Sequence, residues 1–172
     1  EGVDFAIDYD FTKSQVIINS VGAAITGNVE ATYSEVDPSK VTEDDIIGGI
    51  TAAGEYSGLG CVGLIYPELN LIPNIICAPG WSHIPEVYNA MISAGTKING
   101  HWDAIVCADI PVLDGSAKVD TIAAAVNWKE TNAYISERSK VFWPQAKDNL
   151  GNVYHASTLG VWQMLSVDAQ NG

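Results

Sequence analysis

The turn Ala78-Pro79-Gly80-Trp81-Ser82 is the first place where residue types and spacing could support chemistry. It follows a short apolar run and precedes a helical pattern, where a nucleophilic serine or a phosphate loop could lie. A nucleophile elbow needs a glycine shortly after its serine, and none follows Ser82. A phosphate loop needs backbone amides and usually a lysine, whereas Pro79 lacks an amide hydrogen and no lysine is near. We therefore predict a structural turn in which Ser82 is the N-cap of the helix.

An enzymatic alternative rests on the ends of two predicted strands. Asp109 follows an apolar run, and open α/β sheets often bind ligands at the carboxyl ends of their strands. An α/β hydrolase-type or nucleotide-binding enzyme could therefore use the loop ends near Ser82 and Asp109. His83 or His101 would be the base, although His83 is adjacent to Ser82 and neighbouring helical side chains point apart.

Cofactor and metal sites are weakly indicated. Residues 58–63 (GLGCVG) match G-x-G-x-x-G, but no strand pattern precedes them and no long helix pattern comes after them, so we predict no dinucleotide site. The three histidines lack the spacing of a metal-binding helix or finger. Asp103, Asp109 and Asp114 could form a Mg²⁺ site, but solvated loop carboxylates are the simpler interpretation. The predicted set of catalytic, cofactor and metal residues is empty.

The net charge of −13, with only 8 lysines and arginines, argues against nucleic-acid binding and against an anionic membrane surface. Apolar residues make up 47% of the chain, enough for a core. No signal peptide or transmembrane helix is expected. The three cysteines, Cys61, Cys77 and Cys107, are predicted to be buried reduced thiols of a protein made in the cytoplasm.

The elements that must position these residues form two regions. In residues 1–38 the pattern predicts strands at 5–9, 16–18 and 29–36, which make a small antiparallel β unit. Residues 39–172 then predict an α/β domain. It begins with a capping box from Thr42 to Asp45 and continues as strand 75–77, a helix from Ser82 to Gly95 and strand 102–108. The remaining predicted elements are a helix at 117–129 from Ser116, strands at 139–143 and 153–155, and a final helix at 157–169.

Residues 71–82, LIPNIICAPGWS, resemble a hallmark of contractile phage tail sheath proteins, which also occur in prophages and contractile injection systems. The residues Pro79, Gly80, Trp81 and Ser82 are the core of this structural signature. Five other places are similar to that family: residues 1–5, residues 41–49, Ala108-Asp109-Ile110-Pro111, Arg138 with Phe142-Trp143-Pro144, and Asp168.

The resemblance implies a virion structural protein, made in the bacterial host cytoplasm, and not an enzyme. Sheath subunits stack as hexameric rings around the tail tube and contract to drive the tube into a cell. The implied partners are other sheath subunits, the tail tube protein, and baseplate and tail terminator proteins. The implied fold is a mixed, largely parallel sheet flanked by helices, subtilisin-like but without a triad, because no Asp-Ser/Thr-Gly, His-Gly-Thr or Gly-Thr-Ser-Met segment is present.

Family members are much longer than these 172 residues. The resemblance therefore implies a fragment that covers the end of a β domain (1–38) and the α/β sheath core (39–172). Alone, such a fragment is expected to be a monomer.

Overall fold

The computed structural model describes residues 5–10, 13, 15–22, 27 and 37–171. The chain divides into two compact units, Glu1–Pro38 and Ser39–Gly172.

The first unit contains an antiparallel pair of strands, β1 (Phe5–Asp10) and β2 (Gln15–Ser20). Their register runs from Phe5 opposite Ser20 to Asp10 opposite Gln15. At the turn, Lys13 donates its amide hydrogen to Asp10 (3.1 Å) and pairs with the same carboxylate through its ammonium (3.2 Å). The first two predicted strands are thus confirmed, and the third, at 29–36, lies outside the described residues.

The second unit alternates short strands and helices. Its helices are α1 (Glu43–Ile47), α2 (Ile65–Leu69), α3 (Pro85–Ala94), α4 (Ile122–Thr131) and α5 (Ala156–Asn171), and a 3₁₀ helix spans Gly58–Leu64. Its strands are β3 (Gly49–Ile50), β4 (Tyr56–Ser57), β5 (Ile75–Cys77), β6 (Ile105–Asp109), β7 (Leu113–Asp114), β8 (Ala117–Lys118), β9 (Ser139–Phe142), β10 (Ala146–Lys147) and β11 (Val153–Tyr154).

A three-stranded parallel sheet with the order β5-β6-β9 forms the centre of this unit. The predicted strand–helix–strand unit from β5 through α3 to β6 is confirmed. The unit also contains three separate antiparallel two-stranded pairs, β3-β4, β7-β8 and β10-β11. The fold is therefore mixed α/β, with one parallel sheet and several small antiparallel ones.

Helices lie on both faces of the parallel sheet. Ser139 of β9 meets Tyr88 of α3 through their hydroxyls (2.8 Å), whereas Lys140, the next residue, reaches Met164 of α5 (3.4 Å). Because successive strand residues point to opposite faces, α3 and α5 must cover opposite sides. The α3 side carries most of the core, including Val87, Tyr88 and Met91.

Helix α1 begins as predicted. The Asp45 carboxylate accepts hydrogen bonds from the Thr42 amide and hydroxyl, each at 2.8 Å. These bonds hold the pKa of Asp45 below its usual value, because they favour the ionised carboxylate.

The start predicted for α3 is wrong. Ser82 is not its N-cap: the helix begins at Pro85, after Ile84. Residues 78–82 instead form a tight turn, in which the Ser82 amide donates to the Ala78 carbonyl (2.8 Å). Pro85 suits the first helical position because its missing amide hydrogen is not needed there. The predicted end at Gly95 is confirmed.

The predicted helix at 117–129 is also displaced. It begins at Ile122, because the Thr121 hydroxyl caps it by accepting from the Ala124 amide (3.1 Å). The residues around Ser116 form the β7-β8 hairpin, whose turn uses Gly115 at a φ of +58°.

Helix α4 buries only part of its apolar surface. Ile122 and Val126 are 75% and 49% exposed. Ala125 and Trp128 are buried.

Candidate functional site

Ser82 and Asp109, the residues of the enzymatic alternative, do come together. Asp109 ends β6, and Ser82 lies in the turn after the neighbouring strand β5, so parallel pairing brings the two strand ends to one edge. The Ser82 hydroxyl accepts a hydrogen bond from the Asp109 amide (3.0 Å) and donates to the Asp109 carboxylate (3.3 Å).

A third residue, Ser157, completes this cluster. It lies in the first turn of α5, where its amide donates to one Asp109 oxygen (2.8 Å) and its hydroxyl to the other (2.5 Å). Sequence reasoning missed Ser157, because its only local signal was a place near a predicted helix start. We call Ser82, Asp109 and Ser157 the Asp109 cluster.

Burial decides what the Asp109 cluster can do. Ser82 and Ser157 have no exposed surface, and Asp109 is 4% exposed. Each hydroxyl donates its hydrogen to the carboxylate, and Tyr134 donates to the Ser82 carbonyl (3.0 Å). A nucleophile must reach its substrate, and Ser82 cannot. The geometry supports a buried polar connection between β6, the 78–82 turn and α5.

His83 lies near this cluster but does not activate it. Within residues 37–171, no hydrogen bond joins His83 to Ser82 or Asp109. Partial burial, followed by the nearby His155, lowers the pKa of His83, while Asp109 and Asp114 oppose that shift. The His101 ring lies 5.6 Å from the ring of Trp102, and within residues 37–171 no hydrogen bond joins His101 to Ser82. The structure therefore provides no base for Ser82 in this part of the chain.

The signature residues form the turn itself. Gly80 adopts a φ of +84°, which disfavours any side chain, and a Cβ there would lie 3.5 Å from His155 Nε2. Trp81 is half-buried against the core, and Pro79 is exposed. The turn thus directs the chain from β5 into α3 and presents the Ser82 hydroxyl to Asp109.

The glycines of the G-x-G-x-x-G match have a packing role. A Cβ at Gly58 would clash with the Ile46 carbonyl oxygen. A Cβ at Gly60 would lie 2.6 Å from the Gly49 carbonyl oxygen. These two glycines allow the 3₁₀ helix to approach the α1–β3 backbone closely. Although β4 does precede the segment, it has only two residues, and the segment itself is a 3₁₀ helix. The context of a dinucleotide site is therefore absent from this segment.

The candidate Mg²⁺ carboxylates are separately engaged. Asp103 pairs with Arg138 (2.9 Å), and Asp114 accepts from the Trp128 indole (2.9 Å). The residues that the structure describes contain no group of three or more histidine, cysteine or acidic side chains suited to a metal ion. The same residues include no helix with the length and apolar character needed to cross a membrane.

The cysteines only partly fit the prediction of buried thiols. Cys107 is buried, but Cys61 and Cys77 are exposed. Cys77 is exposed because its side chain lies on the α5 side of the sheet, which α5 covers incompletely.

Comparisons with known proteins give related sequences, although no family model matches the chain. The tail sheath protein of Burkholderia phage BcepMu is 35% identical over 89 residues, which cover 47% of this chain and 17% of that protein. A protein of Pseudomonas aeruginosa strain UCBPP-PA14, named as a prophage major tail sheath protein, is 26% identical over 164 residues, 94% of this chain and 37% of that protein. The chain therefore spans well under half the length of these curated relatives. The resemblance seen in the sequence is confirmed: the chain is a relative of phage and prophage tail sheath proteins.

Proposed function

We propose that the chain is part of a sheath subunit of a contractile phage or prophage tail. The observation that carries this proposal is the alignment to a prophage sheath protein along 94% of the chain. Subunits would stack as hexameric rings around a tail tube and contract to drive the tube into a target cell. The tube, baseplate and tail terminator proteins would be their partners, and the virion tail their location.

The two units would have separate places in such a subunit. Residues 1–38 would belong to a β domain, and residues 39–172 to the α/β core, with a subtilisin-like architecture that lacks a catalytic triad. The turn at Pro79, Gly80, Trp81 and Ser82 would be a structural signature, because it links β5 to α3 and anchors the Asp109 cluster. The buried Ser82 supports a structural role and not a catalytic one.

Helix α5 supports an assembly function. Its inner side packs small or flexible residues, such as Gly160 and Met164, against the sheet. Its outer side carries Leu159 and Trp162, which are 43% and 65% exposed. Asp168 is the only charged residue in its sequence. A helix that is apolar on two sides normally has partners on both, so we propose that sheath polypeptide covers the outer side.

Electron microscopy of the full-length sheath protein tests this proposal. We expect rings or tubes from the unaltered protein and neither from a Leu159→Ser, Trp162→Ser double variant that remains folded. Leu150, 88% exposed outside α5, provides the matched control, and Leu150→Ser should still assemble. If the unaltered protein forms neither rings nor tubes, the sheath assignment is wrong. If the double variant assembles normally, the outer side of α5 is not an assembly surface.

A further inference from the structure

Cys77 and Cys107 form an in-register pair on adjacent parallel strands. Cys77 of β5 lies opposite Cys107 of β6. Side chains in register on neighbouring strands share one face, and neighbouring strands lie about 4.8 Å apart. That spacing falls within the Cα separation of disulfides, about 4.4–6.8 Å. The sheet therefore places these two thiols side by side on one face, at a backbone separation that a disulfide can span.

The surroundings of the pair make its two members unequal. Cys77 lines a groove of about 750 Å³ between α5 and the exposed part of the sheet, together with Ile75, Ile105 and Lys140. Cys107, in contrast, has no exposed surface. A small reagent in the groove can therefore reach Cys77 directly, and it can reach Cys107 only through Cys77. On the next strand, Lys140 lies opposite Cys107 in register and places a positive charge on the same face of the sheet.

We propose that Cys77 and Cys107 are a redox-active dithiol, which a small disulfide such as glutathione disulfide closes into a Cys77–Cys107 bond within the folded chain. In the first step the Cys77 thiolate attacks one glutathione sulfur. The glutathione S–S bond breaks, a mixed disulfide forms and one glutathione thiolate leaves. In the second step the Cys107 thiolate attacks the Cys77 sulfur and releases the second glutathione. The two protein thiols lose two protons and two electrons, and glutathione disulfide is reduced to two thiols.

The environment sets the pH at which this reaction is fast. Partial desolvation beneath α5, with a contribution from Asp109, raises the pKa of Cys77. Burial and the adjacent Cys77 raise the pKa of Cys107 to about 11, although Lys140 opposes the shift. The thiolate is the reacting form. While the pH stays below these pKa values, the reaction rate should therefore rise about tenfold for each unit by which the pH increases. This inference goes beyond the sheath proposal and does not depend on it.

Mass spectrometry of the purified 172-residue chain tests the pair. The reduced protein is incubated with glutathione disulfide, quenched with acid and alkylated with N-ethylmaleimide in guanidinium. We expect a mass lower by about 2 Da before alkylation, one maleimide on Cys61, and a peptide map that joins Cys77 to Cys107. The bond should form about ten times faster at pH 8 than at pH 7.

Variants provide the controls. The Cys61→Ser variant should form the Cys77–Cys107 disulfide at the same rate as the unaltered chain, because Cys61 is exposed elsewhere and has no role in the reaction. Cys107→Ser, with its fold checked by circular dichroism, should retain the glutathione adduct on Cys77. The proposal is overturned if the unaltered chain accumulates a stable glutathione adduct at Cys77, keeps all three thiols free, or joins Cys61 to another cysteine. Because the unaltered chain and Cys61→Ser decide the outcome, a Cys107→Ser variant that fails to fold does not obscure it.

Discussion

At the scale of single residues, Asp109 connects β6, the 78–82 turn and α5 in the second unit. Its two oxygens and its amide bond to Ser82 and Ser157, all in a buried environment. A buried carboxylate is costly unless hydrogen bonds satisfy it, and these bonds supply that compensation. The strand end that a sequence pattern assigns to ligand binding is here occupied by the protein's own hydroxyl groups.

Ser82→Ala tests this role. The substitution removes a hydroxyl that accepts from the Asp109 amide and donates to its carboxylate, so two buried polar groups lose a partner. We expect a loss of about 1–3 kcal/mol in the free energy of unfolding, measured by urea denaturation. Ser116→Ala, at the exposed β7-β8 turn, should change it by less than about 0.5 kcal/mol. Equal stabilities of the two variants would contradict the structural role of Ser82.

His83 gives the second unit a pH-dependent stability. Burial holds its folded-state pKa below the usual 6.5, so the unfolded chain binds the proton more readily. The contribution of His83 to the free energy of unfolding should therefore be constant well above pH 6.5 and decrease as the pH falls from 6.5 toward the folded-state pKa. Urea midpoints at about pH 7.5 and about pH 5.5 measure the effect, above the range where Asp45 and Asp148 titrate. His83→Gln should weaken the pH dependence, and an unchanged pH dependence in that variant would exclude His83 as its source.

At the scale of elements, helix α5 packs very closely on the sheet at one point. A Cβ added to Gly160 would clash with Cε1 of Phe142 in β9. This contact would be far shorter than any that real Cβ atoms make, so the helix or the ring must move to accept a side chain. Gly160 thus allows α5 to lie close to β9.

Gly160→Ala should consequently destabilise the chain by about 1–3 kcal/mol, because overpacking forces strain into the α5–sheet contact. Gly63 is a matched control: a Cβ there would meet nothing within 4 Å. Gly63→Ala should leave the free energy of unfolding unchanged or slightly increased. Urea denaturation measures the free energy of unfolding of both variants. A Gly160→Ala variant as stable as the original chain would disprove the close contact.

Sequence patterns predict some of these elements and not others. The strand predicted at 102–108 begins later, at Ile105. The three strands of the parallel sheet, predicted at 75–77, 102–108 and 139–143, were nevertheless predictable, because each ends at clear turn residues. The start of α4 was not, because Ser116 and Thr121 are both good caps and only the hairpin pairing of 113–118 selects Thr121. The sequence pattern brought Ser82 and Asp109 to neighbouring strand ends, but the place of Ser157 was beyond prediction, since it depends on the docking of α5, a long-range property.

At the scale of the whole molecule, the chain consists of two units with a boundary between Pro38 and Ser39. The second unit contains the parallel sheet and the apolar core cluster, which includes Ile76, Val106 and Tyr134. A unit with its own core can fold independently.

We therefore expect residues 39–172, expressed alone, to fold cooperatively. Far-ultraviolet circular dichroism should show mixed α/β structure, and urea should unfold the fragment in a single transition. Gly160→Ala in this fragment should lower the midpoint as it does in the complete 172-residue chain. A fragment without a cooperative transition would show that residues 1–38 are needed for folding.

The Asp109 cluster also has a consequence for folding kinetics. Asp109 contacts Ser82, 27 positions earlier, and Ser157, 48 positions later, so the cluster closes two long loops at once. Such contacts form after local structure, because loop-closure entropy must be overcome first. Asp109→Asn should accordingly accelerate unfolding while leaving the refolding rate nearly unchanged in stopped-flow experiments. The cluster would then determine how long the second unit stays folded more than how fast it folds.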